Sequence, residues 1–278
     1  MIDAHQHFWR IARGDYGWLT PALGAIYRDF VPEDLAPLLA RHGITGTILV
    51  QAAPTVAETR FMLDIARNTS FVKGVVGWIE FQAAYAPAAI TELAADPLLV
   101  GLRPMVQDIA DDGWLLRPAL KPALDAMAAQ GLVFDAVVLP RHLSRLKTFI
   151  ERYPNLSVVV DHGAKPFIRD RVMEPWTADI AAIAAFPHVM CKLSGLVTEA
   201  APEWQAADIA PYAAHILNVF GPQRVLFGSD WPVVTLGGGY DRWRETALGF
   251  VAQLNEADQA AILGGNAQRL YLSRRGRR

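Results

Sequence analysis

A single cysteine, Cys191, stands in 278 residues. It excludes an internal disulfide and any zinc or iron–sulfur site built on several thiolates. A lone thiol suits a reducing compartment, and a cytoplasmic location is expected. An excess of one charge is missing as well: 26 Lys and Arg face 28 Asp and Glu, for a formal net charge of −2. A near-neutral chain has no electrostatic footprint for nucleic acid. Long apolar runs are absent. Stretches such as 180–186 fall far short of the roughly 18 residues of a membrane span. The start, Met1-Ile2-Asp3-Ala4-His5, is too polar for a signal peptide. No G-x-G-x-x-G follows the first apolar run and no Walker A sequence occurs, which argues against dinucleotide and nucleotide ligands. Neither Ser194 nor Ser229 sits in a G-x-S-x-G elbow, which argues against a serine hydrolase. The arginines after Ser273 read as a solvated, frayed terminus.

Core material is plentiful: 52% of residues are apolar and 19% charged, so global disorder is excluded. Short β-branched runs begin near Ile2, Thr47, Val72, Leu99, Leu132, Ser157, Val189 and Val225. The eight runs are spaced by about 32 residues on average, and a strand with its crossover helix takes about 30. Helix-like stretches lie between them, at 32–42, 87–95, 118–130, 141–153, 175–186 and 207–220. Asn255 is placed as the N-cap of a last helix. Alternating strands and helices imply a parallel sheet covered by helices. Eight units predict a closed (β/α)8 TIM-type barrel rather than an open doubly wound sheet. No composition break splits the chain, so residues 1–278 are expected to form one domain. The longest interval separates the first two runs. It carries Trp9, Trp18 and Tyr27 and is expected to cover the barrel mouth.

Chemistry concentrates at the ends of the runs. His5 and His7 alternate on the first strand and point the same way. Two such imidazoles either share a metal ion or line a polar pocket through hydrogen bonds. His162 ends the sixth run and Asp230 ends the eighth, which puts four candidate ligands on the C-terminal face where barrel enzymes build their sites. His162 could instead be a satisfied rim histidine, and Asp230 a cap for the turn that follows. Arg103 ends the fourth run and suits a carboxylate or a polarised carbonyl; a rim salt bridge is the structural alternative. Lys192 lies inside an apolar strand, where an unpaired charge is costly. It is expected to pair with Asp230, to donate to substrate or, equally, to sit in a structural ion pair. His142 is placed either in the pocket or at an exposed helix start. Trp78, Trp114 and Trp231 are candidate stacking walls for a sugar ring, or core. Cys191 faces away from Lys192 and reads as packing.

His5-x-His7, His162 and Asp230, in this order on strands one, six and eight, resemble the amidohydrolase superfamily. The opening Asp3-Ala4-His5-Gln6-His7-Phe8-Trp9 resembles its amidohydrolase-2 group, the L-fuconolactonase-like sugar lactonases in particular. So do Gly101-Leu102-Arg103-Pro104, Asp161-His162-Gly163-Ala164-Lys165-Pro166, Cys191-Lys192-Leu193-Ser194-Gly195-Leu196, Phe227-Gly228-Ser229-Asp230-Trp231-Pro232 and Gly265-Asn266-Ala267-Gln268-Arg269-Leu270-Tyr271. The resemblance spans the chain and implies hydrolysis of a small sugar 1,5- or 1,4-lactone. Asp230 would be the general base for water. His5, His7, His162 and Asp230 would hold one divalent ion, zinc by preference, or the imidazoles would themselves stabilise the oxyanion without metal. Binuclear relatives carry a bridging Lys or Glu on strand four or five. Only Asp135 stands there in this chain, so a two-metal centre is not expected. The partner is then a small lactone, with neither nucleic acid nor membrane involved. A zinc-dependent decarboxylase of the same superfamily is the alternative enzyme, and a carbohydrate- or metabolite-binding barrel the non-catalytic one.

Overall fold

A computed structural model describes residues 1–273; the arginine-rich tail beyond lies outside the described residues. Strands and helices alternate as β1 Ile2–Gln6, α1 Pro32–Arg41, β2 Gly46–Val50, α2 Val56–Asn68, β3 Val72–Gly77, α3 Ala86–Ala94 and β4 Leu99–Leu102. They continue with α4 Lys121–Gln130, β5 Val133–Ala136, α5 Leu143–Arg152, β6 Val158–Val160, α6 Trp176–Ala184 and β7 Val189–Leu193. The last elements are α7 Ala206–Phe220, β8 Val225–Phe227, α8 Tyr240–Val251 and α9 Glu256–Ala260. All neighbouring strands pair in parallel, in sequential order. The ends meet at the mouth, where the His7 amide donates to the Trp231 carbonyl at 2.7 Å and the Asp230 amide to the His5 carbonyl at 2.8 Å. This is the expected (β/α)8 barrel.

Two helices were not legible in the sequence, for a physical reason. α2 buries the polar residues Glu58 and Thr59, which blurs its apolar stripe. α8 carries Asp241, Arg242, Arg244 and Glu245 in its first turns. Asn255 caps α9 as expected, its side chain accepting from the Asp258 amide. The core has two layers. Inside the barrel, Ala4, Ile48, Val50, Val76, Val133 and Val159 pack with Met190 and Leu226, and Leu270, Tyr271 and Leu272 close the end opposite the mouth. A larger shell packs between strands and helices. Among the described residues no helix is long and apolar enough to cross a membrane.

Candidate active site

The period-two alternation of β1 turns His5 and His7 to the same side, and their Nε2 atoms lie 3.2 Å apart. His5 is wholly buried; His7 reaches the cavity above it. The chain then leaves β6 and β8 by turns that few side chains tolerate. His162, Ala164 and Lys165 have φ of 54°, 62° and 53°, and Asp230 has 58°. Left-handed backbone costs a non-glycine residue roughly 1–2 kcal/mol, and these four strained residues lie where the candidate chemistry is, while a fifth, Arg171, does not. Glycine makes room twice. A Cβ at Gly195, itself at φ 62°, would overlap the His162 ring, and one at Gly228 would press on the His5 Cβ.

The Asp230 carboxylate is the hub. Its Oδ1 lies 3.2 Å from His7 Nε2, 3.7 Å from His5 Nε2 and 3.9 Å from His162 Nε2. His7 Nδ1 sits 2.7 Å from the Val50 carbonyl, which can only accept. In a neutral ring the proton is therefore on Nδ1 and Nε2 turns its lone pair towards Asp230; the hydrogen bond that lowers the Asp230 carboxyl needs a proton in the 3.2 Å between them. His162 Nδ1 is anchored at 2.9 Å by Ser194 Oγ. Arg103 Nη1 donates to Asp161 Oδ2 at 3.2 Å and lies 3.3 Å from His5 Nε2, while Nη2 donates to the Gln51 carbonyl.

Charge is arranged so that Asp161 and Asp230 stay ionised, while burial disfavours the protonated forms of His5 and His162. Burial pushes Asp230 up, but His162, His7 and His5 outweigh it and hold it below the usual carboxylate range. Burial drives His162 down to about 4, against the pull of Asp230 and Asp161. Burial and the Lys192 ammonium together hold His5 well below the ordinary imidazole value. Asp161 is buried too, yet Lys192, His5 and Arg103 keep it well below its usual range.

Of the roles expected for Lys192, the structure shows the structural ion pair. It does not pair with Asp230; its ammonium lies 2.5 Å from Asp135 Oδ2, 3.0 Å from Asp161 Oδ1 and 3.2 Å from His5 Nδ1, fully buried beneath the site. Asp135 is taken up by Lys192 and by the Tyr271 hydroxyl, which donates to it at 2.8 Å. His142 is buried and does not line the cavity; the Leu139 amide donates to its Nδ1, and its Nε2 lies 3.1 Å from Asp112. Trp231 is not a cavity wall either, since it packs edge-on against Phe8 and Phe30. Trp78 and Trp114 line a neighbouring cavity. Cys191 is buried as packing, as expected.

The catalytic cavity measures about 190 Å³ and brings together His7, Arg103, His162 and Asp230. Trp18 of the long first loop forms part of its wall, its indole N–H donating to the Ala52 carbonyl at 2.7 Å. Sequence reasoning missed Asp161, Gln107, Asp108 and Lys165. Asp161 and Lys165 flank His162 within one motif, a signal that was available; Gln107 and Asp108 sit on the loop after β4 and carried none.

A family model described as Amidohydrolase matches residues 2–272. The chain belongs to the amidohydrolase family. This amidohydrolase is 48% identical to L-fucono-1,5-lactonase of Burkholderia ambifaria, over 97% of its own length and 94% of the relative's. It is 36% identical to L-fucono-1,5-lactonase of Burkholderia multivorans, over 97% and 95%. Among solved structures, an amidohydrolase from Burkholderia multivorans with bound zinc superposes with a TM-score of 0.91 at 35% identity, covering 97% of this chain and 98% of that one.

The residues of this amidohydrolase fit a single divalent ion. One ligand atom each from His5, His7 and Asp230 lies within 4.8 Å of the others, and the same holds for His5, Asp161 and His162. His7 Nε2 and Asp230 Oδ1 both present lone pairs across 3.2 Å, an arrangement that asks for a proton or a cation between them. The second triad is already compensated by Lys192 and Arg103, and it shares His5 with the first.

Proposed function

We propose that this amidohydrolase hydrolyses a sugar lactone, L-fucono-1,5-lactone or a close stereochemical relative, to the open hydroxy acid. The observation that carries the reading is the Asp230 carboxylate, ionised and in reach of three imidazoles beside the Arg103 guanidinium, in a cavity of about 190 Å³ at the barrel mouth. The two lactonases at 48% and 36% identity support it.

In this reading Asp230 accepts a proton from water as the water oxygen attacks the lactone carbonyl carbon. Arg103 orients the lactone and stabilises charge on the carbonyl oxygen, and His162 lines the same cavity. The bond from the carbonyl carbon to the ring oxygen then breaks, and Asp230 returns its proton to that oxygen. A carboxylate held below its usual range is a weak base, so polarisation of the carbonyl matters as much as proton removal. His5, His7 and Asp230 are the residues that would hold zinc or a similar ion. When bound, such an ion supplies carbonyl polarisation and a lowered water pKa.

The test is a pH-stat panel of aldono-1,5- and 1,4-lactones, run with and without a chelator. Acid release without carbon dioxide is expected. Carbon dioxide from an aromatic acid, or no accelerated lactone at all, would overturn the reading. Full turnover after exhaustive chelation would assign the electrophile to Arg103 and the imidazoles.

A further inference from the structure

Beside the catalytic cavity lies a second one, about 390 Å³ against 190 Å³. It opens on the same face of the barrel, between the loops that follow β2, β3 and β4. Met105 and Asp108 line both cavities, so the two adjoin. Pockets for small organic ligands run to about 300–1,000 Å³. The second cavity reaches that range by itself, and the catalytic one does not.

Its chemistry is not that of core packing. Of the eight tryptophans, Trp9, Trp18, Trp176, Trp204 and Trp243 each donate the indole N–H to a backbone carbonyl. Trp78 and Trp114, both in this cavity, have no protein acceptor for theirs among the described residues, nor has Trp231, which lies in the core. Phe81 stands edge-to-face on Trp114 with ring centroids 6.1 Å apart. Glu80 and Asp108 bring two carboxylates with no cationic partner among the described residues. The cation present, Arg117, is held by Asp111 at 2.8 Å and by Gln82 Oε1 at 3.1 Å.

Aromatic surface, free N–H donors and carboxylate acceptors match a polyhydroxylated ring. Such a ring offers a C–H face for stacking and hydroxyls that both accept and donate. The uncompensated negative charge opposes a second carboxylate or a phosphate. We propose that this cavity is a subsite for a second, neutral sugar ring joined to the lactone, so that the enzyme accepts lactones of glycosylated aldonic acids. The inference rests on the lactonase reading above. The glycosidic link passes Met105 and Asp108 at the end of the lactone remote from its carbonyl. The reaction is the same ester hydrolysis: water adds to the carbonyl carbon, the ring C–O bond breaks, and the glycosidic bond is untouched.

Two measurements test it. The first needs no turnover: methyl pyranosides are titrated while the indole N–H resonances are followed, with Trp78→Phe and Trp114→Phe used for assignment. Trp78 and Trp114 resonances are expected to shift, and Trp78→Ala to abolish the effect. No shift, or shifts with sugar acids in place of neutral pyranosides, overturns the subsite. The second compares one aldonolactone, free and glycosylated at its remote hydroxyl. Trp78→Ala is expected to lower kcat/KM for the glycosylated lactone about tenfold, through KM, with the free lactone within about twofold of wild type. Partial rescue by Trp78→Phe is expected. Hydrolysis of the free lactone alone overturns the subsite and leaves the lactonase reading standing. If neither lactone reacts, the lactonase reading fails, and the titration still decides whether a sugar binds.

Discussion

Asp230 and Gly195 show how much of the site rests on single residues. Asp230→Asn keeps the shape and one accepting oxygen but removes the basic site. General-base catalysis contributes typically about 10²–10⁴-fold, so turnover should fall by that factor while KM changes less. Circular dichroism checks the fold. A folded variant that keeps more than about a tenth of wild-type turnover would remove Asp230 from the role. Gly195 acts without touching substrate. It combines φ of 62° with contact against His162, so Gly195→Ala adds left-handed strain and a clash with the imidazole ring. The expected result is about 1–2 kcal/mol lost in urea denaturation, together with reduced kcat. A variant with unchanged kcat would show that the His162 position is not critical.

Among the elements, the first loop is the one built to cover the mouth, and α2 is what holds it. Tyr16 donates to Glu58 Oε2 at 2.7 Å, and Arg13 Nε lies 3.7 Å from the same oxygen. Burial pushes the Glu58 carboxyl from 4.5 up to about 7, with Tyr16, the Ala52 amide and Arg13 offsetting only part of the shift. The folded protein therefore binds this proton more tightly than the unfolded chain. The stabilisation is fully present below pH 4.5 and is lost as pH rises through 7. Glu58→Gln should remove that loss. The stability difference between wild type and variant should then change by on the order of 2–3 kcal/mol between pH 4.5 and 8. Denaturation series at the two pH values measure it, and taking the difference cancels the titration of other groups. A pH-independent difference would mean that Glu58 titrates as an ordinary carboxylate.

At the scale of the whole molecule, the barrel interior is divided by charge. Apolar side chains fill the lower layers up to Tyr271, and above them Lys192 ties together β1, β5, β6 and β7 through His5, Asp135 and Asp161. Such a buried network is not evidence of high stability, because desolvation offsets most of its attraction. Breaking it is costly all the same. Lys192→Met leaves Asp135 and Asp161 facing each other without their ammonium, and a loss of about 3–5 kcal/mol in chemical denaturation is expected. Asp135→Asn added to Lys192→Met should recover part of that loss. If Lys192→Met were as stable as wild type, the network would not be a structural element of the barrel.

The order of the eight strands and the presence of His7, Arg103, His162 and Asp230 at the mouth were legible in the sequence; α2, α8, Gln107 and Asp108 were not, and Lys165 was missed. β-branched runs that recur every 25 to 45 residues with helices between them admit few topologies besides the barrel, and period-two alternation alone turns His5 and His7 to one side. His162 and Asp230 could be placed at strand ends because those ends share one face in a parallel barrel. Pairing inside the barrel was decided by tertiary structure. A structural ion pair of Lys192 was one expectation and a pair with Asp230 another; in register Lys192 lies level with Leu226, short of Asp230, and beside the Asp161 that follows Val160, so its ammonium meets Asp161 and Asp135. The roles of Trp78, Trp114 and Trp231 were equally out of reach of composition. Trp231 is drawn into the core by Phe8 and Phe30, whereas Trp78 and Trp114 are placed in the neighbouring cavity by loops whose course no local pattern specifies. Periodicity and turn chemistry act between near neighbours in the chain. Which charge meets which inside a closed barrel depends on strand register, which forms only when all eight strands are in place.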